Sequence, residues 1–94
     1  MILPRFTVIN QTKAEPILAE FVKRTRNETG CLYYGWSLSD NQLICEEIYV
    51  DAAAVTAHLA NVGPLIALLT AEGVAQMDSI ALHGPAGEVE KLKS

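Results

Sequence analysis

The chain has 94 residues, half of them apolar and 19% charged, with a formal net charge of −4. That length makes one small domain, and the acidic balance argues against nucleic acid or an anionic membrane as its partner. So short a chain builds a limited core, so this much apolar surface predicts a covered face, most simply in a two-fold homodimer.

At the N-terminus Met1-Ile2-Leu3 runs straight into Pro4-Arg5, too little for a signal-peptide core. No apolar run approaches the roughly eighteen residues of a membrane span, so the expected location is cytoplasmic. Phe6-Thr7-Val8-Ile9 reads as a strand bounded by Pro4 and by Asn10-Gln11-Thr12. Ile17, Leu18, Phe21, Val22 and Thr25 then mark one face of an amphipathic helix. Thr12 with Glu15 has capping-box spacing, and Gly30 is expected to stop the helix. Lys23-Arg24-Thr25-Arg26, flanked by Glu20 and Glu28, reads as that helix's solvated side.

Two aromatic and β-branched runs follow, Cys31–Leu38 and Leu43–Val50, separated by Ser39-Asp40-Asn41-Gln42, a hairpin signal. Asp51 stands as an N-cap before three alanines. The stripe Val55, His58, Leu59, Val62, Leu65, Ile66 and Leu69 continues as helix, with a break or kink expected at Gly63-Pro64. Glu72-Gly73 ends it, and Val74–Leu82 reads as the last strand. Gly84-Pro85-Ala86-Gly87 opens a polar tail over 84–94, leaving a domain core of about 5–83. The order strand, helix, strand, strand, helix, strand predicts an α+β, ferredoxin-like βαββαβ subunit. Its four-stranded antiparallel sheet carries both helices on one face. The bare face calls for a cover, and a second copy's sheet is the natural one.

With Asp40-Asn41 at the tip, Trp36 faces Cys45, Tyr34 faces Glu47 and Leu32 faces Tyr49. One sheet face then carries Leu32, Tyr34, Trp36, Cys45, Glu47 and Tyr49, and the other Cys31, Tyr33, Gly35, Ile44, Glu46, Ile48 and Val50. The two cysteines fall on opposite faces, so free thiols are expected. The first face mixes large aromatics with a carboxylate able to accept phenolic hydrogen bonds. His58 sits on the helical stripe that should face it. His83, beside Gly84, reads as exposed. Taken alone, Tyr34 and Trp36 read as core filling, and a lone histidine on an apolar stripe is more often a hydrogen-bonded core residue than a catalyst. No metal-ligand spacing, phosphate loop or nucleophile elbow is present.

The stretch "ETGCLYYGWSLSDNQLICEEIYVDAAAVTAHLANV" resembles the antibiotic biosynthesis monooxygenase domain, a family of dimeric α/β barrels with ferredoxin-like subunits. The resemblance rests on the ordered spacing of Glu28, Gly30-Cys31, Tyr34, Glu47, Tyr49, Asp51 and Ala57-His58, and covers residues 5 to about 83. It implies a pocket between the sheet and the helices on the Tyr34, Trp36, Glu47 and Tyr49 face. It also implies that the face with Tyr33, Ile44 and Ile48 packs against a second subunit. Members usually carry Trp where this chain has Tyr49, and the haem-degrading branch pairs that Trp with an Asn that aligns with Arg5 here. Both departures speak against haem degradation.

The resulting expectation is a cofactor-independent, metal-free monooxygenase. It would act on an electron-rich aromatic molecule, a phenol, a hydroquinone or a polyketide-like ring, and on dioxygen. His58 is the candidate base, because imidazole changes charge near neutral pH. Glu47 would hold a tyrosine or the substrate hydroxyl, while Tyr34, Trp36 and Tyr49 orient the ring. Two alternatives stay open: a non-catalytic dimeric barrel binding a small apolar ligand, and isomerase or decarboxylase chemistry using the same base.

Overall fold

The computed structural model describes residues 1–93. The elements run β1 (Ile2–Val8), α1 (Gln11–Thr25), β2 (Cys31–Ser39), β3 (Gln42–Tyr49), α2 (Ala52–Leu69), β4 (Ala75–Leu82) and α3 (Ala86–Lys93). The strands form one antiparallel sheet in the order β2-β3-β1-β4, the ferredoxin-like arrangement. α1 and α2 bury Phe21, Val62, Leu65 and Leu69 against Phe6 and Leu43 of the sheet. Leu43, Val62 and Leu69 are fully buried, each contributing about 1.5–3 kcal/mol over an exposed side chain.

The hairpin closes as its sequence predicts. Ser39 pairs with Gln42, and Asp40 takes φ 55°, a left-handed conformation that Asp tolerates. Tyr34↔Glu47 and Trp36↔Cys45 are in the expected register. Asp51 caps α2 by accepting the Ala54 N–H at 2.9 Å. Both cysteines are free.

Several expectations change. β1 starts at Ile2, so Pro4 lies inside a strand; pairing with β3 runs through Ile2↔Glu47 and Arg5↔Ile44 on either side of it. The cap of α1 is Asn10, whose side chain accepts the Lys13 N–H at 3.1 Å, so Thr12 lies inside the helix. Gly30 is no helix stop, since α1 ends at Thr25 with Arg26 as its cap. Instead, a Cβ there would stand 2.5 Å from the Ala54 Cβ, and glycine lets the loop lie against the first turn of α2. A register shift between Cys31 and Tyr33 pairs Cys31, not Leu32, with Tyr49 and leaves Leu32 65% exposed. That shift takes Leu32 off the helix-facing side and puts Cys31 opposite Tyr49.

α2 runs unbroken through Gly63-Pro64. Pro64 and Ala60 are both exposed, so water can satisfy the Ala60 carbonyl that the proline leaves without a donor. Burial of Val62, Leu65 and Leu69 on the opposite side holds the helix together. Eighteen residues long with mean hydropathy 1.6, α2 is the one helix among the described residues long and apolar enough to cross a membrane. Its buried stripe nevertheless packs as a core helix does. Finally, residues 86–93 of the expected polar tail form α3, whose Glu88 carboxylate accepts the Ala52 N–H at 3.5 Å. Val89 and Leu92, three residues apart, give it an apolar side that the tail's charge conceals.

Candidate functional site

His58 sits in the second turn of α2, on the same stripe as Val55 and Val62, and is only 3% exposed. A buried imidazole needs partners, and it has them. Its Nδ1 lies 2.8 and 3.0 Å from the two oxygens of Glu28. Glu28 belongs to the loop that Gly30 brings down on Ala54, one helical turn before His58. Asn61, three residues after His58 on α2, donates its Nδ2–H to Glu28 Oε2 at 2.8 Å and to the Arg24 carbonyl at 3.2 Å. The Glu28 carboxylate can only accept at Nδ1, so in the neutral imidazole the tautomer it favours has its Nε2 lone pair on the opposite side of the ring.

Nε2 faces the opposite way, 3.6 Å from Glu47 Oε1. Glu47, 6% exposed on the helix-facing side of β3, accepts the Tyr49 hydroxyl proton at 2.5 Å. The rings of Tyr34 and Tyr49 flank the imidazole at centroid distances of 5.2 and 5.4 Å.

Burial raises the pKa of Tyr34 far above the ordinary phenol range, reinforced by Cys45 and Glu47. Tyr49 is raised likewise, by burial first and then by its bond to Glu47. The Cys45 thiol is raised by burial and by Glu47 beside it. At neutral pH all three are therefore neutral donors, and none is a tyrosinate or thiolate nucleophile.

A cavity of about 320 Å³ lies between the helices and the sheet, walled mostly by apolar side chains such as Phe6, Phe21, Val62 and Ile80. Tyr34, Trp36, Glu47 and His58 supply its polar or aromatic wall. A largely apolar pocket with a few converging polar groups is the usual form of a small-molecule site. Trp36 also serves the core, packing against Phe6 and Phe21 at 5.7 and 5.4 Å, and its buried indole N–H has no hydrogen-bond partner among the described residues. Tyr49 lines a neighbouring cavity of about 100 Å³ beneath α3 and reaches the main site through Glu47. Leu92 of α3 borders both cavities.

Of the residues expected at the site, His58, Glu47, Tyr34 and Trp36 thus share one cavity wall, and Tyr49 stands behind Glu47. Glu28 and Asn61 were not singled out for chemistry. The signal for Asn61 is its position three after His58, on the same helical face. Glu28 lies in a loop, where no periodicity marks the direction of a side chain. Among the described residues, no group of three or more His, Cys, Asp or Glu side chains is placed to hold a metal ion.

No protein-family model matches the chain, and no curated protein sequence matches it. Solved structures do. MupZ from Pseudomonas fluorescens is 32% identical, with a TM-score of 0.87 over 98% of this chain and 72% of its own. An antibiotic biosynthesis monooxygenase is 23% identical, with a TM-score of 0.72 over 92% of this chain and 99% of its own. SnoaB, a cofactor-independent oxygenase from Streptomyces nogalater, is 18% identical, with a TM-score of 0.71 over 90% of this chain and 92% of its own. At these lower identities the likeness is one of fold.

Proposed function

Because the chain belongs to the antibiotic biosynthesis monooxygenase domain family, we propose that it is a cofactor-independent monooxygenase of a small electron-rich aromatic molecule. The observation that carries this reading is one imidazole with its Nδ1 held by Glu28 and its Nε2 directed to the side where Glu47 and the apolar cavity lie. His58 Nε2 removes a proton from a phenol or hydroquinone. The resulting anion is electron-rich enough to pass an electron to dioxygen itself, and the apolar walls keep water from the reactive pair. Glu28 holds the Nδ1 side of the imidazole, while Tyr34 and Trp36 align the ring. Glu47, held by Tyr49, faces the substrate hydroxyl. The same reading has the subunit working as a two-fold homodimer through the open sheet face, where Tyr33 is 53% exposed and Ile44 and Ile48 lie half-buried.

A second reading is favoured by the Tyr49–Glu47 pair so near Nε2: an acid beside a base supports isomerase or decarboxylase chemistry without dioxygen. One experiment separates the two. Anthrones and hydroquinones are supplied in deuterated buffer while oxygen uptake and deuterium incorporation are followed together. Oxygen consumption with one atom of ¹⁸O2 retained in the product and the other released as water supports the monooxygenase. Deuterium entering the substrate with no oxygen consumed supports the second reading. Neither event with any probe removes both and leaves a binding protein.

A further inference from the structure

The His58–Glu28 pair is bordered by a cavity on each side. The main cavity is lined by His58, Glu47 and Tyr34 but not by Glu28. On the other side of the dyad a separate open groove of about 310 Å³ is lined by Glu28, Thr25, Arg26, Cys31, Tyr33 and Tyr34, but not by His58. Glu28's side chain is 12% exposed and His58's 4%, so the carboxylate is the more solvent-accessible of the pair. Its loop carries its own backbone bond, Glu28 N–H to the Thr25 carbonyl at 3.0 Å, and Asn61 holds the Oε2 atom. The carboxylate is therefore fixed between water and the imidazole Nδ1.

We propose that Glu28 is a proton relay between bulk water in this groove and His58, so that substrate and protons use opposite sides of the site. The proposal rests on the reading of His58 as the base. When Nε2 takes the ligand's proton, leaving the ligand as an anion, Nδ1 gives its own proton to a Glu28 oxygen. Glu28 then passes that proton to water in the groove. In the second half, Nε2–H protonates an oxygen of the product while Glu28, reloaded from the groove, returns a proton to Nδ1. One proton leaves through the groove and one enters, and the starting tautomer is restored. A carboxylate that only orients the imidazole would stay ionised throughout, as in a serine-protease triad.

The test needs no substrate, so it can fail while the oxygenase reading stands, and the reverse. Ring-nitrogen proton exchange with water is measured by NMR on protein labelled with ¹⁵N-histidine, at rising imidazole buffer concentration. The exposed His83 is the internal control. Glu28→Gln keeps an oxygen to accept the Nδ1 proton but cannot carry one. A placed acid–base group is worth roughly 10²–10⁴-fold, so His58 exchange should slow by at least about tenfold while His83 is unchanged. The second arm leaves Glu28 intact. Alkylation of Cys31 with N-ethylmaleimide, confirmed as a single adduct by peptide mass, places a succinimide ring in the groove beside Glu28; Cys45, 0% exposed, is shielded. The Cys31 thiol pKa is raised by burial and by Glu28, so the reaction is run at alkaline pH. Slowed His58 exchange in the adduct supports the relay, and decides the matter alone if Glu28→Gln does not fold. Wild-type exchange in Glu28→Gln, or in the Cys31 adduct, overturns it.

Discussion

Placing a methyl group on Gly30 tests how the site is assembled. The new Cβ would stand 2.5 Å from the Ala54 Cβ and 3.5 Å from the Ala54 Cα. Carbon atoms in ordinary contact sit about 3.5–4.0 Å apart, so the intrusion is about 1 Å, against atoms on or next to the α2 backbone. Neither side can swing away as a long side chain would. The cost expected for such overpacking is about 1–3 kcal/mol. For a domain of this size each kcal/mol lowers the melting midpoint by about 4–8 °C. Urea unfolding of Gly30→Ala, Ala54→Gly and the double variant measures it. Ala54→Gly alone costs up to about 1 kcal/mol of helix propensity, yet it removes the clash. The double variant should therefore be more stable than the sum of the single effects predicts, by about 1 kcal/mol or more. The Glu28–His58 contact should weaken in Gly30→Ala and return in the double variant, visible in the His58 Nδ1 proton shift. Additive effects, or a Gly30→Ala protein within about 0.5 kcal/mol of wild type, would refute the close-approach argument.

Two further outcomes are expected. Tyr49→Phe takes away the hydroxyl that donates to the buried Glu47 at 2.5 Å, and a hydrogen bond to a charged group contributes about 1.5–3 kcal/mol; urea unfolding at pH 7 should show a loss of that size, and no loss would mean the bond is unimportant. Tyr34, Tyr49 and Cys45 are all raised in the folded state from ordinary values of 10.0, 10.0 and 9.0. Their unfolded forms ionise first as pH rises, so their stability is intact below pH 9 and falls above it, by about 1.4 kcal/mol per pH unit per group at most. Urea midpoints from pH 8 to 11 should decline more steeply above 10 than Tyr34→Phe does, and equal slopes would contradict the assignment.

Much of the fold was readable because its signals are local. The hairpin tip, the Asp51 cap and the alternation along β2 and β3 each depend on a few adjacent residues, and they fixed the Tyr34↔Glu47 and Trp36↔Cys45 pairs. What was hidden depends on distant neighbours. Pro4 and Pro64 read as boundaries, yet flanking strand pairs and buried leucines carry the chain through both. α3 read as tail because its charges outnumber Val89 and Leu92. The bulge at Leu32 has no local signature. Glu28 was visible as part of a spacing pattern, but its contact with His58, thirty residues away in the chain, follows from the missing Cβ at Gly30. The site was thus half legible: the strand and helix residues from periodicity, the loop carboxylate only from packing.

The most direct test of His58 as the base is steady-state oxygen uptake with an anthrone probe, comparing wild type with His58→Ala. Uptake equal to anthraquinone formation is expected in the wild type, and a fall in kcat of about 10²–10⁴-fold in the variant with the fold retained. A folded His58→Ala protein that turns over at the wild-type rate would contradict it.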